Sequence, residues 1–257
     1  MQRSISSDMS KPSRIATTAT NGRVLRLSQR HLDALAREIA DPGPRLLSGF
    51  RPATDVDYDA LVAELMQRTV GDDFWVFAYG SLIWNPEYDV AEQRVARAHG
   101  WRRSFCLGWD YRFRGNDTEP GLMLALDRGG QCRGVVHRLP GDRLKENLDR
   151  LVRREMSMVP SAFPARFIRT ETDEGPVTAL TFAMNRNSGR YVNGLTDEAL
   201  ADVLASACGF RGSMAEYLFS TVSRLEELGI HDRYLWRLQE LVAERIERTH
   251  FGSEPTP

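Results

Sequence analysis

Phe74-Trp75-Val76-Phe77-Ala78-Tyr79-Gly80-Ser81-Leu82-Ile83-Trp84 is the stretch whose reading decides the fold. Residues 74–79 are all apolar or aromatic with no helical period, which predicts a fully buried strand, because such side chains fit a pleated surface. The chain must then turn. Gly80 gives access to backbone conformations that other residues resist, and Ser81 and Leu82 follow in a bend that can leave several N–H groups aimed one way. That is the outline of an anion cradle suited to a small carboxylate. The same residues also read as a plain strand end with a glycine turn, and taken alone they do not separate the two.

Working outward, the two flanks differ in character. Upstream, residues 1–23 are rich in Ser, Thr and basic residues with little to bury, so disorder is expected; an organelle transit peptide is the weaker alternative, since no amphipathic period is visible. Leu25, Leu32, Leu35, Ala36 and Ile39 predict a helix over residues 26–40, capped by Ser28 and ended by Pro42-Gly43-Pro44. A second helix is predicted over residues 58–69, with Leu61, Val62, Leu65 and Met66 on its apolar face. Downstream, strand-like segments occupy residues 93–99, 101–108, 122–127, 131–139, 165–171 and 177–183. Gly129-Gly130 and Glu174-Gly175-Pro176 lie between pairs of them as hairpin punctuation. With the opening strand this makes about seven mostly antiparallel strands, enough to curl into a barrel. A helix over residues 142–156 interrupts them, and three more are predicted over 196–207, 213–228 and 232–248, with Ser213 and Glu216 as a capping box and Gly229 as a stop.

Composition bounds the rest. The 257 residues are 42% hydrophobic and 27% charged, with a net charge of -1, so no global field recruits nucleic acid or an acidic membrane. No run approaches the roughly 20 apolar residues that span a bilayer. Cys106, Cys132 and Cys208 are odd in number and widely spaced, which suggests neither a disulfide framework nor a thiolate zinc site. A reducing, cytoplasmic location follows as the simpler expectation. The organisation expected is a tail at 1–23, one α+β domain over 24–248 (helical extension 24–70, barrel core 74–185, C-terminal helices 195–248) and a tail at 249–257.

Within the interrupting helix, Glu155 is the candidate acid/base. It lies four residues after Leu151 and three after Val152, so it shares their core-facing side. Burial and the negative end of the helix dipole would both raise its pKa toward the range where a carboxyl exchanges protons near neutrality. An exposed Glu155 paired with Arg150, Arg153 or Arg154 is the competing reading, and periodicity alone leaves it open. A serine nucleophile at Ser81 is disfavoured, because Gly80-Ser81-Leu82 lacks the second glycine of a nucleophile elbow. A metal site is disfavoured too, since His31, His99, His137, His231 and His250 are scattered. The basic, aromatic runs 101–103 and 109–114 read as alternating strand residues rather than a nucleic-acid surface, and Tyr217 as an anchor of its helix more than a pocket residue.

Taken together, Tyr79-Gly80-Ser81-Leu82, Gly108 with the run 109–114, Glu119-Pro120-Gly121, the segment 134–139, Arg154-Glu155-Met156, the segment 216–219 and Leu228-Gly229-Ile230-His231-Asp232 occur in an order that closely resembles the ChaC-like glutathione-specific γ-glutamylcyclotransferases. The resemblance covers about residues 74–240 and is expected to extend to the helices before them. It implies a cyclotransferase-type β-barrel with flanking helices. It also implies that Tyr79, Gly80, Ser81 and Leu82 hold the γ-glutamyl group of a small-molecule substrate, glutathione, and that Glu155 occupies the general acid/base position. No cofactor or metal is implied, no nucleic-acid or membrane partner is expected, and the oligomeric state is left open. Where many relatives have an Arg after Pro-Gly this chain has Leu122, which puts affinity or substrate choice in question. The loops 111–118 and 159–164 also look less typical. Alternative readings are a cyclotransferase for other γ-glutamyl amino acids or amines, and an inactive relative that binds a partner protein.

Overall fold

Alternation along the opening strand divides the core in two. In the computed structural model, which describes residues 23–68 and 73–252, Phe74, Val76 and Ala78 pack with the helices, whereas Trp75, Phe77 and Tyr79 pack with other strand residues inside a closed barrel. Successive side chains on a strand point to opposite faces, so an unbroken apolar run is what a strand buried on both faces requires. The expected disordered tail lies outside the described residues except for Arg23, as do residues 69–72 and 253–257.

In chain order the elements are α1 (Gln29–Leu35), β1 (Arg51–Pro52), α2 (Asp55–Gln67), β2 (Phe74–Ala78), a 3₁₀ turn (Ser81–Ile83), β3 (Glu92–Asp110), β4 (Gly121–Leu139), α3 (Leu144–Glu155), β5 (Met158–Val159), β6 (Ala165–Thr172), β7 (Gly175–Phe182), α4 (Asp197–Ser206), β8 (Cys208–Gly209), β9 (Gly212–Ser213), α5 (Met214–Glu227) and α6 (Arg233–Ile246). The barrel order is β2-β4-β3-β6-β7, closed by the parallel pairing of β7 with β2. All other barrel pairs are antiparallel.

The barrel therefore has five strands, not about seven. The predicted segments 93–99 and 101–108 are one strand, β3, and 122–127 and 131–139 are one strand, β4. Gly129-Gly130 is not a hairpin turn. In the register, His99 faces Gln131 and Trp101 faces Arg128, so two glycines of β4 oppose the single Gly100 of β3. All three have positive φ (80° at Gly100, 106° at Gly129, 71° at Gly130). A glycine bulge of this kind bends a two-stranded ribbon around the barrel without interrupting it. The Gly175 hairpin stands as predicted, joining β6 and β7.

The helices follow their caps. Thr54 donates through its N–H and hydroxyl to Asp57, at 2.8 and 2.7 Å, so α2 starts three residues earlier than periodicity suggested. Ser213 Oγ accepts from the Glu216 N–H at 3.1 Å, and Asp232 Oδ1 accepts from Tyr234 and Leu235, both at 3.1 Å. The first helix is shorter than expected. It is capped by Ser28, whose N–H donates to His31 Nδ1 at 3.1 Å, but ends at Leu35, and residues 36–50 run on as a strap. That strap is tied to the β3–β4 loop by Arg37 to Glu119, Arg112 to Asp41 at 2.7 Å and Arg45 to Asp117 at 2.6 Å.

Candidate active site

At the end of β2 the chain enters the 3₁₀ turn, and Ile83 and Trp84 donate back to the Gly80 and Ser81 carbonyls at 2.9 and 3.1 Å. The amides that open such a turn have no carbonyl one turn earlier to bond, which leaves a helix N-terminus suited to an anion. Gly80 has a φ of -135°, so left-handed freedom is not what it supplies. Space is. A Cβ built there would lie 3.0 Å from the Tyr217 hydroxyl and 3.6 Å from Leu124.

The turn opens onto a cavity of about 390 Å³. Tyr79, Gly80, Ser81, Leu82 and Glu155 all line it. Glu155 reaches it from the last residue of α3, a helix anchored by buried Leu144, Leu148, Leu151 and Val152. Its side chain is 16% exposed, as is that of Arg154. The two competing readings of Glu155 thus meet: it faces the cavity and also accepts from Arg154 Nε at 3.0 Å. The same guanidinium donates to Ser81 Oγ at 3.2 Å and to the Asn85 carbonyl, and pairs with Glu87 at 3.3 Å. Arg154 therefore locks the end of α3 to the turn after β2. Helix periodicity ranked Arg154 only as a partner for an exposed acid.

Electrostatics follow from that burial. Loss of solvent holds the Glu155 carboxyl above its usual range, with Arg154 pulling it down and Glu87 pushing it up. Burial pushes the Tyr217 phenol up to about 12, the Glu155 charge adds to this, and hydrogen bonding to Ser81 opposes it. Burial, then Glu155, also raises the Tyr79 phenol, whose hydroxyl donates to the Phe182 carbonyl at 2.9 Å. Both phenols stay protonated near neutrality.

Tyr217 is a cavity residue as well as a helix anchor, stacking edge-on against Trp84 and Phe105. Leu122, by contrast, is fully buried beneath Gly108 and absent from the lining, so the replacement noted in the sequence makes no direct contact with the cavity. The two atypical loops do reach it, through Tyr111, Arg112, Phe113 and Phe163. The strap contributes Pro44, Arg45 and Leu47, and β1 contributes Pro52. No sequence signal marked those residues as cavity lining, because long-range ion pairs bring in the strap and pairing with β5 brings in β1.

The five histidines lie outside the lining, so Ser81 has no imidazole partner there. Among the described residues no three His, Cys, Asp or Glu side chains cluster closely enough to hold a metal ion. Nor is any described helix long and apolar enough to cross a membrane.

Comparison with known proteins converges on one family. The family model described as ChaC-like protein matches residues 74–245. The glutathione-specific γ-glutamylcyclotransferase of Escherichia coli is 36% identical over 174 residues, an alignment covering 67% of this chain and 74% of that protein. The mouse glutathione-specific γ-glutamylcyclotransferase 1 is 28% identical over 188 residues, covering 70% and 83%. Among solved structures, a γ-glutamyl cyclotransferase specific to glutathione from yeast shares the fold, with a TM-score of 0.61 at 20% identity, covering 67% of this chain and 96% of that one. The strap and β1 precede the matched region.

Proposed function

The chain belongs to the ChaC-like protein family, and on that premise we propose that it is a glutathione-specific γ-glutamylcyclotransferase, converting glutathione to 5-oxoproline and cysteinylglycine. The observation that carries the reading is Glu155: a desolvated carboxyl with a raised pKa, joined through Arg154 to the Ser81 turn across one cavity.

In this reading the amides at Ser81 and Leu82 bind the α-carboxylate of the γ-glutamyl group, and Tyr79, Gly80 and Leu82 shape its seat. Glu155 takes a proton from the α-ammonium. The freed amine attacks the γ-carbonyl carbon, a C–N bond forms, and the five-membered ring closes through a tetrahedral intermediate. As the bond to the cysteinyl nitrogen breaks, Glu155 returns that proton to it; the ring nitrogen then sheds its second surplus proton, which the same carboxylate passes to the departing amine, so that cysteinylglycine leaves as its ammonium. The atoms balance without water or a covalent enzyme intermediate. Holding the flexible chain folded supplies much of the rate, since well-oriented intramolecular attack reaches effective molarities of about 10⁵–10⁸ M. The Tyr217 hydroxyl, protonated and beside the turn, is a donor available to the developing oxyanion. A reducing, cytoplasmic setting fits the three buried, unpaired cysteines.

The test is 5-oxoproline release from glutathione, beside γ-glutamyl-alanine and γ-glutamyl amines. Release from glutathione that is lost in Glu155→Gln supports the reading. A folded protein that releases none from any of them sinks it.

A further inference from the structure

Every arginine at the cavity but one has an acid of its own. Arg154 pairs with Glu155 and Glu87, Arg45 with Asp117 and Arg112 with Asp41. Arg190 also lines the cavity and makes no ion pair with any described residue. Its Nε–H donates to the Gly108 carbonyl at 3.1 Å, and the Gly108 N–H donates to the Arg190 carbonyl at 3.0 Å. Its two terminal nitrogens have no partner among the described residues. Asp110, whose field reaches it, has both oxygens committed to the loop: Oδ1 to the N–H groups of Arg112 and Phe113 at 3.1 Å each, Oδ2 to that of Arg114 at 2.7 Å. Burial outweighs that acid and lowers the Arg190 pKa. Neither terminal nitrogen is among the solvent-excluded polar atoms without a partner, so both are open to an anionic ligand in place of water.

Arg190 is also held firmly. Its turn is fastened by Arg186, which donates to buried Asp127 at 2.7 and 2.8 Å, and by the Ser188 and Tyr191 N–H groups, bonded within the turn at 2.9 and 3.0 Å. The ribbon gives a scale for its separation from the Gly80 turn. Leu124, which Gly80 approaches, pairs with Phe105, and Gly108 stands three residues further along β3. At 3.2–3.4 Å per strand residue that is about 10 Å. Three linked residues fully extended span about 10 Å as well.

We propose that Arg190 forms a second carboxylate subsite, at the far end of the cavity, for the C-terminal carboxylate of a γ-glutamyl tripeptide whose γ-glutamyl end sits at the Gly80 turn. The subsite rests on the cyclotransferase reading and deepens it: γ-glutamylcysteine stops one residue short of Arg190, and γ-glutamyl amines offer it no anion. Specificity for a tripeptide then comes from two anion sites at a fixed separation.

The test measures binding by calorimetry on Glu155→Gln protein, with glutathione, its C-terminal glycinamide and γ-glutamylcysteine. With Arg190 present, glutathione binds about 10- to 100-fold tighter than the glycinamide, as expected for a charge-assisted hydrogen bond. Arg190→Gln retains an N–H for Gly108 and removes the charge; it brings that ratio near one by weakening glutathione alone. A ratio near one with Arg190 present, or one that Arg190→Gln leaves unchanged, overturns the subsite. If Arg190→Gln fails to fold, Arg190→Lys decides: loss of the planar pair of donors cuts the preference severalfold, and an unchanged preference overturns the proposal. Wild-type 5-oxoproline release from glutathione is followed in parallel. Preference without release removes the cyclotransferase reading and leaves the subsite; release without preference does the reverse.

Discussion

The Arg103 guanidinium holds the carbonyl of Tyr79 from behind, its Nε–H donating at 2.6 Å. Its other nitrogens reach Asp232 at 2.8 Å and the Arg133 carbonyl, and its side chain is 1% exposed. One buried cation thus ties the last residue before the Gly80 turn to β4 and to the N-cap of α6. Replacing it by Met leaves Asp232 unpaired and the Tyr79 carbonyl without its donor. Breaking such a buried pair costs about 3–5 kcal/mol. Denaturant unfolding should show that loss, and kcat/KM should fall further than the lost folded fraction explains. A variant of normal stability would mean that the turn does not depend on Arg103.

Glu155→Gln tests the proton carrier. A positioned acid/base contributes about 10²–10⁴ in rate, so kcat should fall by that factor with KM nearly unchanged. In the wild type, burial raises the Glu155 pKa. As a base it must be ionised, so activity should decline on lowering the pH through a value above the ordinary carboxylate range. A profile flat down to that range would remove Glu155 as the base.

Arg154→Met probes the same group from its neighbour. Arg154 pulls the Glu155 pKa down. Its removal should therefore move the acid limb of the rate profile to higher pH, besides lowering kcat as Ser81 loses its donor. An acid limb that stays in place or moves to lower pH would contradict this coupling.

Gly80→Ala places a methyl 3.0 Å from the Tyr217 hydroxyl. Overpacking at such a site costs about 1–3 kcal/mol, and the turn or the ring must yield. Adding Tyr217→Phe removes the atom in the way. Thermal unfolding should show a lower Tm for the single variant and a partial return in the double one. Equal Tm values for those two would place the strain elsewhere.

The strap over the cavity is fastened through exposed ion pairs, Arg37–Glu119, Asp41–Arg112 and Arg45–Asp117. Screening shortens from about 10 Å at 0.1 M salt to about 3 Å at 1 M, which weakens pairs of this kind. High salt should raise KM severalfold and speed amide exchange in residues 36–50, leaving the barrel strands protected. Asp41 is held at about 2, chiefly by its bond from Arg112, so its pairing should persist until the pH falls toward that value.

Much of this protein was legible in its sequence wherever the cause is local. The apolar run 74–79 makes β2, because every side chain on it is buried on one face or the other. Thr196, Ser213 and Asp232 start α4, α5 and α6, because their side chains accept N–H groups within the next few residues. The ordered motifs from Tyr79 to Asp232 named the family for the same reason: they are patterns along the chain.

Tertiary structure alone decided the rest. Glycine reads locally as a turn, yet Gly129-Gly130 stays within β4, because Gly100 on the partner strand makes the pair a bulge. Seven expected strands became five on that account. Glu155 could be assigned a helix face but not a neighbour; its place in the cavity depends on Arg154 meeting Ser81, 73 residues apart in sequence. Arg190, Tyr217 and the strap join the cavity through contacts just as distant. Periodicity tells which side of an element is buried, whereas the group that meets it across the core is set only when the barrel closes and the helices pack.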